Sequence, residues 1–226
     1  MTYTLITANR NYSSWSLRPW LLMRALDIAF ADRVEPFTSP DNYAAFRAFS
    51  PTGQVPLLID GARTVWDSLG IALYLADRHD GVWPTDDAAR AFAQCAVSEM
   101  HGGFAALRND CTMNVGVLIA PHPPSPALAR NIARVRELIE GGLDTFGGPW
   151  LAGAAFSAAD AFYAPVAFRI RTYGLDVGRG QAWVEHIIAH PAMREWEAAA
   201  LAETWREASH EAELAAAGTI TADYRR

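Results

Sequence analysis

The chain has 226 residues and a formal net charge of -6, and all 19 of its basic residues are arginine. The acidic balance excludes a global basic field that would attract nucleic acid. The absence of lysine excludes a lysine Schiff base and a phosphate loop of the GxxxxGK[ST] type. Hydrophobic residues make up 51% of the chain, which supports a sizeable core, yet no 18-residue uncharged apolar run occurs, so no membrane span is expected. The opening MTYTLITANR lacks a basic n-region and a long apolar run, and no signal peptide is expected from it. The two cysteines, Cys95 and Cys111, form no CxxC pair. Together these features point to a reducing, cytoplasmic setting.

In chain order, TYTLIT reads as a short buried strand. SLRPWLLMRALDIAF follows with apolar residues close to a 3.6 period. Ser16 is placed as its N-cap, with Pro19 in the first turn, where proline is tolerated. DRVEPFT is a second strand candidate, and DNYAAFRAFS is a short helix that ends before Pro51. VPLLID and RTVW, separated by Gly61, read as a hairpin. DSLGIALYLADRH is then a helix that starts at Asp67 or Ser68. The first 80 residues thus read βαβαββα. HDGVWPTDD supplies turn residues, with the linker set at 81–86. Residues 87–226 read as helices with no convincing strand: DDAARAFAQCAVSEMHGGFAALRND, PALARNIARVRELIEGGLDTFG, SAADAFYAPVAFRIRTY and AMREWEAAALAETWREA. APHPPSP is a proline-rich loop between two of them.

Three segments of the first half carry chemistry. Ser13, Ser14 and Ser16 place hydroxyls at a strand-to-helix turn, where they either cap the helix or hold something reactive. Val55-Pro56 enters a strand. Asp67-Ser68 opens a helix, whose free N–H groups favour an anion and whose side chains also serve as caps.

SPTGQVPLL followed by DSLGIALYL resembles the glutathione-binding half of the soluble glutathione transferases, a thioredoxin-like domain, and the helical remainder resembles their second, all-α domain. SSWS with Arg18 resembles the SSCSxR segment of the zeta class, which includes maleylacetoacetate isomerases, and EMHGGFAALR resembles bacterial members. The resemblance implies a cis bond before Pro56 that turns the Val55 backbone outward to pair with an extended tripeptide. It implies that Trp15, Gln54, Val55, Pro56, Asp67 and Ser68 bind glutathione, with Asp67 meeting its ammonium group and the N-terminus of the following helix its γ-glutamyl carboxylate. Ser13 falls on the position that activates the thiol, Ser14 follows it, and Trp15 stands where the zeta class has cysteine, which argues against disulfide chemistry. Gly53 stands where many relatives carry a basic residue for the glycyl carboxylate.

A serine donating to the sulfur nearly suffices energetically, and the positive end of the helix beginning near Ser16 adds to it. Lowering a thiol pKa of about 8.5 by about two units takes roughly 2.7 kcal/mol, and one charge-assisted hydrogen bond supplies about 1.5–3 kcal/mol. The resemblance further implies that the first helix of the second domain faces the site, so His101, Phe104, Arg108 and Met113 are expected to line a pocket for a small-molecule electrophile. The expected function is a detoxifying glutathione transferase, with glutathione as co-substrate, no metal and a homodimeric assembly. A glutathione-dependent isomerase or dehalogenase is the alternative within enzymes, and a non-catalytic binding protein on the same fold is the alternative outside them.

Two further signals are set aside. His186 and His190 have helical metal-pair spacing, but Pro191 disfavours helix at His190 and no third ligand is evident. Ser157 and Asp160 have capping-box spacing, which makes Asp160 a folding residue.

Overall fold

Leu5 and Ile6, fully buried, anchor a central strand, β1 (Tyr3–Thr7), in a four-stranded sheet of order β2–β1–β3–β4. The structure, a computed structural model, describes residues 3–39 and 41–226, so Thr2 of the expected first strand lies outside the described residues. β2 (Phe30–Val34) runs parallel to β1 with Leu5 opposite Asp32, and β3 (Leu57–Asp60) runs antiparallel with Leu5 opposite Leu58. Parallel neighbours need a crossover, which α1 (Ser14–Ala25) provides. β3 and β4 (Arg63–Val65) form the hairpin around Gly61. With α2 (Tyr43–Phe46) and α3 (Ser68–Ala76) the order is βαβαββα, a thioredoxin-like arrangement.

The start of α1 differs from the sequence expectation. Ser13, not Ser16, is the N-cap: its side chain accepts from the Ser16 N–H. Ser16 Oγ is already taken, accepting from the Ala8 N–H at 3.1 Å and from the Ser13 hydroxyl at 2.7 Å. The cap therefore falls three residues earlier than expected, and Pro19 lies inside the helix.

The second domain is helical. The long helix expected over residues 86–110 breaks in two, α4 (Asp87–Gly102) and α5 (Ala105–Asp110). Only glycine passes at 103, because a Cβ there would stand 2.6 Å from the Glu99 carbonyl oxygen. The next residue, Phe104, is left-handed with φ 58°. α6 (Pro126–Phe146) starts at an N-cap serine with proline in its first turn and stops at left-handed Gly147. α7 (Ala158–Tyr173) carries the Ser157–Asp160 capping box and is buried along almost its whole length, packing against α1 and α4. α8 (Gln181–Ala189), α9 (Pro191–Ala202) and α10 (Ala208–Ala217) complete it, with His190 capping α9.

This domain also holds a two-stranded antiparallel ribbon, β5 (Val117–Pro121) with β6 (Gly218–Asp223), where no strand was expected. Neither segment alternates over enough residues to announce a strand, and their pairing joins positions about a hundred residues apart. One apolar core runs through both domains: Trp20, Leu17 and Leu21 of α1 share it with Phe162, Phe168 and Trp196. Among the described residues no helix is long and apolar enough to cross a membrane.

Candidate active site

A cleft of about 950 Å³ opens between the two domains. On the sheet-domain side it is lined by Ser13, Ser14 and Trp15 at the start of α1, by Gln54, Val55 and Pro56 before β3, and by Trp66 and Asp67 before α3. Arg108, Met113 and Arg169 line it from the helical domain. The volume lies within the range of small-molecule sites.

The Val55–Pro56 peptide bond is cis, as is Trp66–Asp67. The Ser50 hydroxyl donates to the Gln54 carbonyl at 2.7 Å and holds this bend. Among the described residues the Val55 N–H and C=O make no hydrogen bond to another backbone group, so both are free to pair with an extended ligand. Asp67 caps α3 by accepting from the Leu69 N–H at 2.9 Å through one oxygen. Its other oxygen faces His101 Nε2 at 3.3 Å.

Three of the expected site residues do not line the cleft. Ser68 is fully buried beneath it, 3.5 Å from Arg18. His101 sits behind Trp15, edge to face at 5.3 Å, and bonds to Asp67. Phe104 is turned into the core by its left-handed backbone and packs edge-on against Tyr163. The Gly102–Gly103 break redirects the chain here, which uninterrupted helical spacing does not anticipate.

The serines divide their tasks. Ser13 spends its proton on Ser16 and its lone pair on the Ser16 N–H. Ser14 Oγ accepts from Arg169 Nη2 at 3.5 Å, and among the described residues its own proton has no recorded protein acceptor. Ser14 is thus the serine with a donor left for a ligand.

Three arginines lie close to this point without a carboxylate in salt-bridge contact among the described residues: Arg18, Arg108 and Arg169. Arg108 donates to the carbonyls of Gly103 and His101 at the helix break. Arg18 lies 4.1 Å from the Trp15 ring centroid and Arg108 5.0 Å from it. Burial first, and then the like charges of Arg108 and Arg169, pull the Arg18 guanidinium down to about 9. Burial likewise pulls Arg169 down to about 10. Both stay cationic at neutral pH.

Sequence reasoning passed over Arg169 and the C-terminal contributors. Its one signal was an arginine inside a helix whose neighbours nearly all read as core. Tyr12, Phe37 and His210 also reach the cleft; His210 of α10 stacks on Tyr12 at 4.7 Å and on Phe37 at 5.2 Å. No local pattern links α10 to a turn two hundred residues earlier.

Residues 12–78 match the model of the glutathione S-transferase N-terminal domain, and residues 125–199 that of its C-terminal domain. The chain belongs to the glutathione S-transferase family. A zeta-class glutathione S-transferase of Euphorbia esula is 26% identical over 163 residues, covering 69% of this chain and 70% of that protein. The dichloromethane dehalogenase of Methylorubrum extorquens is 41% identical over 61 residues, 26% of this chain and only 21% of the dehalogenase, so the match spans about a fifth of that relative's length. Among solved structures, a glutathione transferase homolog from Burkholderia gl BGR1 with bound glutathione superposes with a TM-score of 0.66 at 20% identity, covering 87% of this chain and 96% of that one. At that identity the likeness speaks for the glutathione S-transferase fold alone.

Proposed function

We propose that this chain is a glutathione transferase in which residues 1–80 bind glutathione, residues 81–86 link, and residues 87–226 supply the electrophile side. The observation that carries the reading is the meeting of three features on one cleft: the free Val55 backbone groups, Asp67 at the start of α3 and the unspent Ser14 hydroxyl. In this reading glutathione lies extended along Gln54–Pro56 as a short added strand. Its γ-glutamyl carboxylate meets the N-terminus of α3 and its ammonium group meets Asp67. Its thiol reaches Ser14, which donates a hydrogen bond to the thiolate and favours ionisation. The thiol proton leaves to solvent, the sulfur attacks the electrophile, and no covalent enzyme intermediate is needed. The protein contributes positioning and charge stabilisation.

A second reading uses the same thiolate. The 41% identity of one segment to dichloromethane dehalogenase favours displacement of halide from a small halogenated carbon, with sulfur forming the new bond as the carbon–halogen bond breaks.

Calorimetric titration with glutathione, followed by a panel of electrophiles that includes a dihalomethane, tests both. Retention of glutathione with turnover of a panel member is the expected result. Absence of any glutathione binding would leave the non-catalytic reading.

A further inference from the structure

The second domain sends one charged side chain to the serine turn. Arg169 lies in the C-terminal half of α7, is only 5% exposed and still lines the cleft. Its Nε donates to the Cys111 carbonyl at 2.8 Å and its Nη1 to the Pro165 carbonyl at 3.4 Å, so two of its donor groups are fixed by backbone. Its Nη2 is aimed at Ser14 Oγ. Burying a guanidinium without a carboxylate is costly. Its neighbours do not offset that cost. Cys111 stays a neutral thiol because burial raises it to about 11, and Tyr173 stays a phenol, raised to about 12. The other charged and titratable groups around the serine turn are Arg18 of α1, Arg108 of α5, His101 of α4 and Asp67, with Glu203 on the backbone of Arg10 and Asn11, and Asp41, His210 and Glu213 line the same cleft. Three arginines thus gather beside a hydroxyl whose proton is unspent.

We propose that Arg169 is a positioning residue for Ser14: it occupies a lone pair of Ser14 Oγ, so the hydroxyl proton points into the cleft, and its charge polarises that hydroxyl toward an anionic sulfur. This rests on the glutathione reading above. Ionisation balances simply. The glutathione S–H proton goes to solvent, Ser14 keeps its own proton and shares it with the sulfur, and Arg169 stays protonated throughout. Activation of the thiol then depends on the helical domain as well as on the sheet domain that binds the peptide.

The test follows the thiolate absorbance of the full-length protein with bound glutathione against pH, in the wild type, Arg169→Met, Arg169→Lys, Ser14→Ala and the Arg169→Met/Ser14→Ala double variant. Arg169→Met is expected to raise the thiol pKa by about one unit, a tenfold loss of thiolate below it. Arg169→Lys is expected to restore at least half of that shift. The double variant is expected to shift less than the two single changes added together, because both act on one hydrogen bond. An unmoved titration in Arg169→Met, or strictly additive shifts, overturns the assignment. So does an unmoved titration accompanied by weaker saturation with an anionic electrophile, which would give Arg169 to the co-substrate. Should Arg169→Met fail to fold, Ser14→Ala and Arg169→Lys decide alone: an unshifted titration in Ser14→Ala overturns the proposal, as does an Arg169→Lys titration that matches Ser14→Ala. A wild type that binds no glutathione sinks the functional reading itself, whereas binding with an unmoved titration sinks only this inference.

Discussion

Asp67 Oδ2 and His101 Nε2 lie 3.3 Å apart, one at the start of α3 and the other in the last turn of α4, so the residue expected to hold the glutathione ammonium group is itself held by the opposite domain. Burial lowers the His101 pKa, partly offset by the attraction of Asp67, so the imidazole is neutral at neutral pH. Asp67→Ala is expected to weaken glutathione binding by about tenfold to a hundredfold, the worth of one hydrogen bond to a charged group at about 1.5–3 kcal/mol. Calorimetric titration of the folded variant measures it, and an unchanged dissociation constant would remove Asp67 from the site.

Ser13 and Ser14 are expected to respond differently to truncation. Ser13 caps α1 and spends its proton on Ser16, so Ser13→Ala should cost about 1 kcal/mol of stability, the usual worth of an N-cap. Its effect on the bound thiol should be small. Urea unfolding beside thiolate titration separates the two outcomes. A shift of one unit or more in Ser13→Ala, with stability unchanged, would return the activating role to Ser13.

The sheet domain was legible because its signals are local. Gly61 punctuates a hairpin, Asp67 starts a helix, and alternating and 3.6-period patterns mark the rest. Trp15, Val55 and Asp67 reach the cleft as expected because the turn and cap that position them lie within a few residues of them, whereas the division of roles among Ser13, Ser14 and Ser16 was not legible because it depends on hydrogen bonds to Ala8 and Arg169. What escaped depends on distant contacts. Phe104 was assigned to the pocket by the resemblance, and the helix break at Gly103 with a left-handed backbone at Phe104 turns it inward. Arg169 read as part of a packing helix because nothing nearby in sequence names Ser14, which lies 155 positions earlier, as its partner. The β5–β6 ribbon was hidden for the same reason.

Asp160 makes a prediction about pH. It is fully buried and accepts from the Leu151 N–H, the Ser157 N–H and Trp183 Nε1, yet burial outweighs these bonds and raises its pKa to about 6. A carboxyl raised above its unfolded value of about 3.9 binds more protons in the native state, so its contribution favours folding at low pH and is lost as pH rises toward 6. Asp160→Asn removes this titration. The stability difference between wild type and Asp160→Asn is therefore expected to be larger at pH 4.5 than at pH 7, by on the order of 2 kcal/mol. Urea midpoints at the two pH values provide the check, and a difference that grows with pH would show that the hydrogen bonds dominate the burial.

Assembly is the next expectation. Leu73 of α3 is 50% exposed on the face away from the core, an apolar side chain that a second copy would cover. A two-fold homodimer, the commonest closed assembly, is expected to scatter light at twice the 24.7 kDa of one chain. Leu73→Arg should move that mass toward the monomer. A wild type that is monomeric at micromolar concentration would count against the dimer.

Gly53 gives the last prediction. The resemblance to glutathione transferases implies a basic residue here, and the backbone explains why glycine stands in its place. Gly53 has φ +67°, and a Cβ would stand 2.6 Å from Cδ2 of the Tyr43 ring and 3.1 Å from the Tyr43 carbonyl oxygen. A side chain at 53 must therefore bear a left-handed backbone, at about 1–2 kcal/mol, and also push aside an aromatic ring that lines the cleft. Gly53→Arg adds a charge where the glycyl carboxylate of glutathione is expected, an exposed pairing worth at most about 1 kcal/mol. The strain exceeds the gain. Gly53→Arg should be less stable to urea by about 1–2 kcal/mol and should bind glutathione no more tightly than the wild type. Tighter binding without loss of stability would mean that Tyr43 swings away at little cost and that this end of the cleft accepts the basic residue.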